Sequence, residues 1–179
     1  MVTFISGGAR SGKSSFAEKY ALQFIQGLNE KREKSLLYIA TAERTDLEME
    51  QRIARHIRER EAIWHTIEAP LQITNVLQNE KGQKVILLDC LTIWLNNMMY
   101  KGKADLSLMM SEVSNWFRLS EENQLELIIV SNDVNEGIPS DNLFVHQYIY
   151  NLEKVHHLIT SKADSVYQVV AGIPIKWKG

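Results

Sequence analysis

Eight consecutive residues, Gly7-Gly8-Ala9-Arg10-Ser11-Gly12-Lys13-Ser14, have the types and spacing G-x-x-x-x-G-K-[ST]. Each type has a task in holding a triphosphate. The glycines let backbone N–H groups turn inward around phosphate oxygens, Lys13 brings a point charge to the β and γ groups, and the Ser14 hydroxyl can ligate Mg²⁺. The motif follows the apolar run Val2 to Ile5 and opens a helical pattern at Lys13, so it sits between a strand and a helix whose N-terminal end adds positive potential. A phosphate loop predicts that a nucleoside triphosphate binds and leaves its fate open.

A second set of chemically capable residues lies between Thr45 and Ala62. Met49, Ile53 and Ile57 recur every four positions and form a narrow apolar stripe, while Arg52, His56 and Arg60 recur at the same interval on a neighbouring face. Three stacked basic groups repel one another unless an anion lies across them. A phosphate chain would be such an anion, and an imidazole between two guanidiniums would be poised to attack phosphorus or hold a proton. The alternative is a solvated charged face on which Glu48, Glu59 and Glu61 balance the arginines.

A carboxylate with a matching role closes the apolar run Lys84 to Cys90. A buried parallel strand that ends in Asp89 has the form of a Walker-B strand, and Asp89 would hold Mg²⁺ directly or through water. His156 and His157 are adjacent and therefore point about 100° apart on a helix. They cannot chelate one metal as an i,i+4 pair does, and both are expected on the helix surface.

The remaining chain supplies the elements that position these groups. A helix is expected from Lys13 to about Leu28, a solvated connection over Asn29 to Lys34, and a buried strand Leu36 to Ala40 ending in Thr41-Ala42-Glu43. Ala40 to Ala42 would lie at the carboxyl edge of a parallel sheet, beside the nucleotide, although Thr41 alone reads as a turn residue. Trp64 to Pro70 reads as a short strand stopped by proline, followed by helices at Leu71 to Asn79, Leu91 to about Lys101 and Leu106 to about Leu119. Leu125 to Ser131 is a further apolar strand, and Asn132 to Pro139 is a polar loop at the same edge. A helix from about Asn142 to Ser161 and two β-like runs, Val166 to Ala171 and Ile173 to Trp177, complete the order. This is α/β: a doubly wound, mostly parallel sheet with an antiparallel hairpin at its C-terminal edge, formed by residues 1–179 as one domain.

Composition excludes several classes of function. With 20 Lys plus Arg against 22 Asp plus Glu, a net charge of −2 provides no basic field for nucleic acid. A single cysteine, Cys90, rules out an internal disulfide and fits a reducing compartment. The chain enters its first strand at once and holds no apolar run of membrane-spanning length, so a cytoplasmic protein without a signal peptide is expected.

Along nearly its full length the sequence resembles the bifunctional adenosylcobinamide kinase and adenosylcobinamide-phosphate guanylyltransferase family of cobalamin biosynthesis. The resemblance rests on Gly7 to Ser14, Tyr38-Ile39-Ala40-Thr41, the Arg52, Ile53, His56, Arg60 helix followed by Trp64, and Leu87 to Thr92. Ser131 to Val134 with Gly137-Ile138, then Ala163-Asp164, Val166 and Gly172-Ile173-Pro174, add to it. The resemblance implies phosphorylation of the aminopropanol hydroxyl of adenosylcobinamide by ATP or GTP, then transfer of GMP from GTP to that phosphate. It also implies a RecA-like fold, a homotrimer and Mg²⁺ as cofactor.

Residue by residue, the resemblance makes His56 the acceptor of a covalent guanylyl group and, with Lys13, a catalytic residue. Nucleotide contacts are implied for Ser6, Gly7, Gly8, Ala9, Arg10, Ser11, Gly12, Lys13, Ser14, Ala40, Thr41 and Ala42. They are implied also for Arg52, Ile57, Arg58, Glu59, Arg60, Glu68 and Asp89, and the metal would fall to Ser14 and Asp89. Arg52 and Arg60 become candidates to neutralise developing charge. The chain departs from the family pattern in two places. Asn132-Asp133-Val134-Asn135 stands where Asn-Glu-Val-Gly is common, and His156-His157 where Asn-Gln is common. Without the resemblance, a generic P-loop small-molecule kinase or a nucleotide-dependent switch would also carry this loop.

Overall fold

The computed structural model describes residues 1–25, 36–42, 64–134 and 141–179. In chain order the described elements are β1 (Val2–Gly7), α1 (Lys13–Gln23), β2 (Leu36–Ala40), β3 (Trp64–Glu68), α2 (Ile73–Asn79), β4 (Val85–Asp89) and α3 (Leu91–Tyr100). There follow α4 (Leu106–Glu122), β5 (Glu126–Asn132), α5 (Leu143–Lys162), β6 (Ser165–Val170) and β7 (Ile173–Lys178). The strands form a seven-stranded sheet of order β3-β2-β4-β5-β1-β6-β7, parallel except for the antiparallel pair β6 and β7. The mostly parallel sheet with an antiparallel edge is therefore the one the apolar runs lead to.

Continuous apolar strands arise because both faces of the sheet are covered. The pleat sends Ile5, Tyr38, Val85, Leu87, Ile128 and Val130 to the face where Ala17 and Ala21 of α1 pack. Phe4, Leu37, Ile39, Ile86, Leu88, Leu127 and Ile129 point the other way, into a larger core with α2, α3, α4 and α5. There Trp94 and Trp116 meet edge to face at 4.6 Å between centroids, and the Trp116 indole donates to the Thr74 hydroxyl at 3.1 Å.

Three sequence expectations are corrected. Helix α1 stops at Gln23, short of Leu28, because the Phe24 and Ile25 N–H groups bond back to Ala21 and Leu22 in tight i to i−3 steps. Helix α4 runs about one turn past Leu119, to Glu122. His156 is half-buried rather than exposed on the helix surface. It flanks the buried stripe Leu152, Val155 and Ile159, its ring stands edge-on to Phe4 at 5.2 Å, and its Nε2 meets the Ser131 hydroxyl at 2.7 Å. His157, one step round the helix, is exposed as expected. The expected connection at Asn29 to Lys34 and the helix expected from Thr45 to Ala62 lie outside the described residues.

Burial holds the His156 imidazole down to about 4, against the Asp133 and Glu153 carboxylates, which pull it upward. An unfolded histidine takes its proton near pH 6.5, so between about 6.5 and 4 the unfolded chain binds more protons than the native one. Stability from this site is therefore complete above pH 6.5 and falls as pH drops toward 4. Urea midpoints measured across that range should decline in the parent protein and decline less in His156→Asn, whose amide has no proton to gain. Equal slopes in the two proteins would remove His156 from the pH dependence.

Candidate functional site

Register brings the chemically capable strand ends into one row. Ala40 pairs with both Glu68 and Asp89, Asp89 with Val130, and Gly7 with Asn132 and Val169. The backbone then continues the row past the strands. Ala69 N–H donates to Ala40, Thr41 N–H to Asp89, Asp133 N–H to Gly7, and Gly172 N–H to Ser11, at 2.8–3.1 Å. The carboxyl edge, where ligands of open α/β sheets bind, is thus stitched together by its own loops.

The phosphate loop leaves β1 at Gly7, where a methyl group would come 2.5 Å from the Val169 carbonyl oxygen. Only glycine fits there. Ala9 and Arg10 are exposed at the loop's crown, with Arg10 at φ 59 and Gly12 at φ 89. The Lys13 side chain is buried and its ammonium donates to the Gly8 carbonyl at 3.1 Å, which folds it over the loop. Ser11 Oγ is buried and meets no protein partner among the described residues, an orphan that a polar ligand would satisfy.

Asp89 reaches this loop because Val85, Leu87 and Asp89 share the α1 face of β4. Its Oδ2 accepts from the Ser14 hydroxyl at 3.3 Å and from the Tyr38 hydroxyl at 2.6 Å. A serine hydroxyl and a carboxylate in contact form an all-oxygen donor pair of the kind Mg²⁺ takes. Behind Asp89, fully buried Thr41 brackets the next residue: its Oγ1 accepts from Cys90 N–H and donates to Cys90 C=O, both at 2.8 Å. The Asp89–Cys90 peptide between them is cis. Asn97 of α3 then donates to the Thr41 and Pro70 carbonyls at 3.0 and 3.3 Å.

Thr41 is thus neither a plain turn residue nor able, in this arrangement, to offer its hydroxyl to a nucleotide. It positions the acid. Cys90 is buried, its thiol pushed up by burial and by the Asp89 charge, and so is a packing residue with no reactive thiolate. The side chains Tyr38, Thr92 and Asn97 escaped sequence reasoning as site residues. Tyr38 had a readable signal, since it stands two residues before the strand end and so shares a face with Ala40; a buried Asn97 inside an apolar helix was another.

The structure brings together Ser6 to Ser14, Ala40, Thr41, Ala42 and Asp89. Glu68 lies at the outer end of the row, four strands from β1, or about 19 Å at roughly 4.8 Å per strand. It borders a concavity of about 460 Å³ between β3 and α2, with Asn75 and Glu80 on the helix side. Arg52, His56, Ile57, Arg58, Glu59 and Arg60 lie outside the described residues, as does the loop from Asn135 to Pro139. The intervening chain leaves the carboxyl edge at Ala42 and returns at Trp64, the start of β3.

A family model described as cobinamide kinase / cobinamide phosphate guanyltransferase matches residues 3–177. The chain is 34% identical over 180 residues to the bifunctional adenosylcobalamin biosynthesis protein CobP of Pseudomonas aeruginosa, covering all of this chain and 98% of that protein. It is 27% identical over 190 residues to the bifunctional adenosylcobalamin biosynthesis protein CobU of Escherichia coli, covering 99% and 100%. Among solved structures, the KaiC-like protein PH0186 of Pyrococcus horikoshii matches the fold with a TM-score of 0.52 at 13% identity, over 93% of this chain and 69% of that one.

The short Tyr38 to Asp89 bond is charge-assisted and joins a buried phenol to a half-buried carboxylate, so its loss removes one of the two donors on that oxygen. Tyr38→Phe should lower unfolding free energy by about 1.5–3 kcal/mol, the range for hydrogen bonds to charged groups. Urea titration of the two proteins measures it directly. Parent-like stability in Tyr38→Phe would mean that the phenol does not support Asp89.

Proposed function

The chain belongs to the cobinamide kinase / cobinamide phosphate guanyltransferase family, and from that footing we propose how its residues divide the two reactions. It is a transferase of cobalamin assembly. The kinase step moves the γ-phosphoryl group of ATP or GTP to the hydroxyl of adenosylcobinamide. The guanylyl step moves GMP from GTP to the resulting phosphate, giving adenosylcobinamide-GDP and pyrophosphate.

One observation carries the assignment of the nucleotide site: the Ser14 to Asp89 hydrogen bond beneath the loop that ends in Lys13. Ser14 and Asp89 would hold Mg²⁺, whose charge, when bound, offsets that of the phosphate oxygens. Lys13 swings from the Gly8 carbonyl to the β and γ oxygens, exchanging one acceptor for a charged one. The glycine-rich backbone and the start of α1 orient the chain of phosphates so that attack is in line.

His56 is the guanylyl acceptor in this reading. A neutral imidazole nitrogen attacks the α-phosphorus, an N–P bond forms, and the P–O bond to pyrophosphate breaks. The substrate phosphate then attacks the same phosphorus and the histidine is released unchanged. Arg52 and Arg60, four residues to either side, would favour the neutral imidazole and neutralise the developing charge. The kinase step has no need of His56. A homotrimer is the assembly this reading carries over from the family resemblance, and size-exclusion chromatography with light scattering tests it.

Two variants test the division of labour. Lys13→Ala should weaken nucleotide binding roughly a hundredfold, about 2.8 kcal/mol, and depress both activities; parent-like affinity would remove the loop from the site. Protein incubated with GTP and Mg²⁺ should gain one GMP on His56, acid-labile and stable in alkali. His56→Ala should lose guanylyl transfer and keep most of the kinase activity. Mass spectrometry that maps the adduct elsewhere, or persistent transfer in His56→Ala, would overturn the assignment.

A further inference from the structure

The hairpin of β6 and β7 ends in a two-residue turn, Ala171-Gly172, with φ of 48 and 83. Left-handed pairs of this kind match the twist of a two-stranded ribbon, which accounts for the turn as local structure. It does not account for where the turn lies. The Gly172 N–H points at the phosphate loop and donates to the Ser11 carbonyl at 2.8 Å. The approach is close along the backbone, since a Cβ built on Gly12 would stand 3.4 Å from Gly172 Cα. Alongside, Gln168 donates to Asp133 at 3.1 Å, and Asp133 N–H to Gly7 at 3.0 Å, so the same hairpin also braces the loop's first residue.

The planar trans peptide gives this contact a directional consequence. The Ser11 C=O and the Gly12 N–H belong to one peptide unit and point in opposite directions. A carbonyl held by Gly172 therefore turns the Gly12 N–H away from the hairpin. The preceding peptide is held as well, by Ser11 N–H bonding to the Gly8 carbonyl at 3.2 Å. Left without the hairpin, a loop of glycine and small residues would pay conformational entropy to present its N–H groups in one arrangement.

We propose that Gly172 is a positioning residue for the phosphate site: its backbone N–H pins the Ser11–Gly12 peptide, so that the C-terminal hairpin presets the loop for an anion. This rests on the loop's reading as the triphosphate site. The ligand chemistry is the phosphate chain itself, independent of the base. Gly172 touches no substrate and acts only through the loop.

The test compares Gly172→Pro, which has no N–H and cannot adopt the positive φ, with Gly172→Asn, which keeps the donor and tolerates that φ. Calorimetric titrations of the folded proteins with GTP, ATP and tripolyphosphate should show all three ligands weakened about equally in Gly172→Pro, roughly tenfold or about 1.4 kcal/mol. Gly172→Asn should bind as the parent does. A hairpin that served only stability would shift the urea midpoint and leave those affinities unchanged in folded protein, which would overturn the proposal. Amide hydrogen exchange of the unmutated protein decides the matter if Gly172→Pro does not fold. Protection of Gly172 N–H without ligand supports the clamp, and exchange at the rate of an exposed amide overturns it. A parent-like Lys13→Ala would refute the loop's reading as a phosphate site, whereas a defective Lys13→Ala with unaffected Gly172→Pro would refute only the hairpin's part.

Discussion

The described site depends on one carboxylate. Asp89 ends a strand whose other side chains are buried, and its own half-buried carboxylate at the carboxyl edge takes donors from its neighbours. Two hydroxyls supply them, from Ser14 and Tyr38: one from the helix that follows the phosphate loop, the other from the neighbouring strand. The period of two along β2 and β4 is what makes this possible, since it puts Tyr38, Leu87 and Asp89 on the same face as α1. A one-residue slip in either strand would turn the acid or the phenol into the other core.

Positioning then spreads outward through backbone groups. Thr41 holds Cys90 by both its N–H and its C=O, and Asn97 holds Thr41 from the helix above. Farther along, the Asn132 amide donates to the Thr92 hydroxyl at 3.2 Å and the Tyr148 phenol, pushed up by burial, donates to the Thr92 carbonyl at 3.0 Å. These polar groups sit at the joint between sheet and helices, where the Cys90 N–H and the Thr41 and Pro70 carbonyls take side-chain partners. Their cost is offset by mutual satisfaction, and the result is a row of strand ends with little freedom to shift.

Legibility in the sequence followed the strength of the local signal. The phosphate loop, the strand that ends at Asp89, and the hairpin closing at Gly172 were readable because each rests on short-range chemistry: glycine geometry, an unbroken apolar run, a turn of two residues with positive φ. For Tyr38, Asn97 and the buried face of His156 the sequence carries at most a face or an out-of-place polar residue and not the role, because what defines each role is a partner 51, 56 or 25 residues away. His156 is instructive. Considering the angle between it and His157 excluded a shared metal, but only the stripe Leu152, Val155 and Ile159 reveals which of the two turns inward. The early end of α1 was lost for a similar reason, since the apolar residues Phe24 and Ile25 continue the pattern beyond the last helical bond.

The same geometry bears on how one loop can serve two reactions. Phosphoryl transfer and guanylyl transfer attack different phosphorus atoms of a triphosphate, so either the nucleotide must move or the nucleophile must change. The loop is held at Gly7 by Asp133, at Ser11 by Gly172 and at Ser14 by Asp89, three anchors on three different strands or turns. Carrying the triphosphate by a movement of the loop would mean breaking several of these bonds together, whereas bringing a different nucleophile to a fixed phosphate chain breaks none of them. The proposed nucleophile His56 belongs to the stretch that joins β2 to β3, and that stretch departs from the carboxyl edge at Ala42, next to Thr41 and the acid it positions. In the proposed reading, selection between the reactions is a question of which group arrives at the phosphate chain, a hydroxyl of the substrate at one end or the His56 imidazole at the other, over a loop that stays where it is.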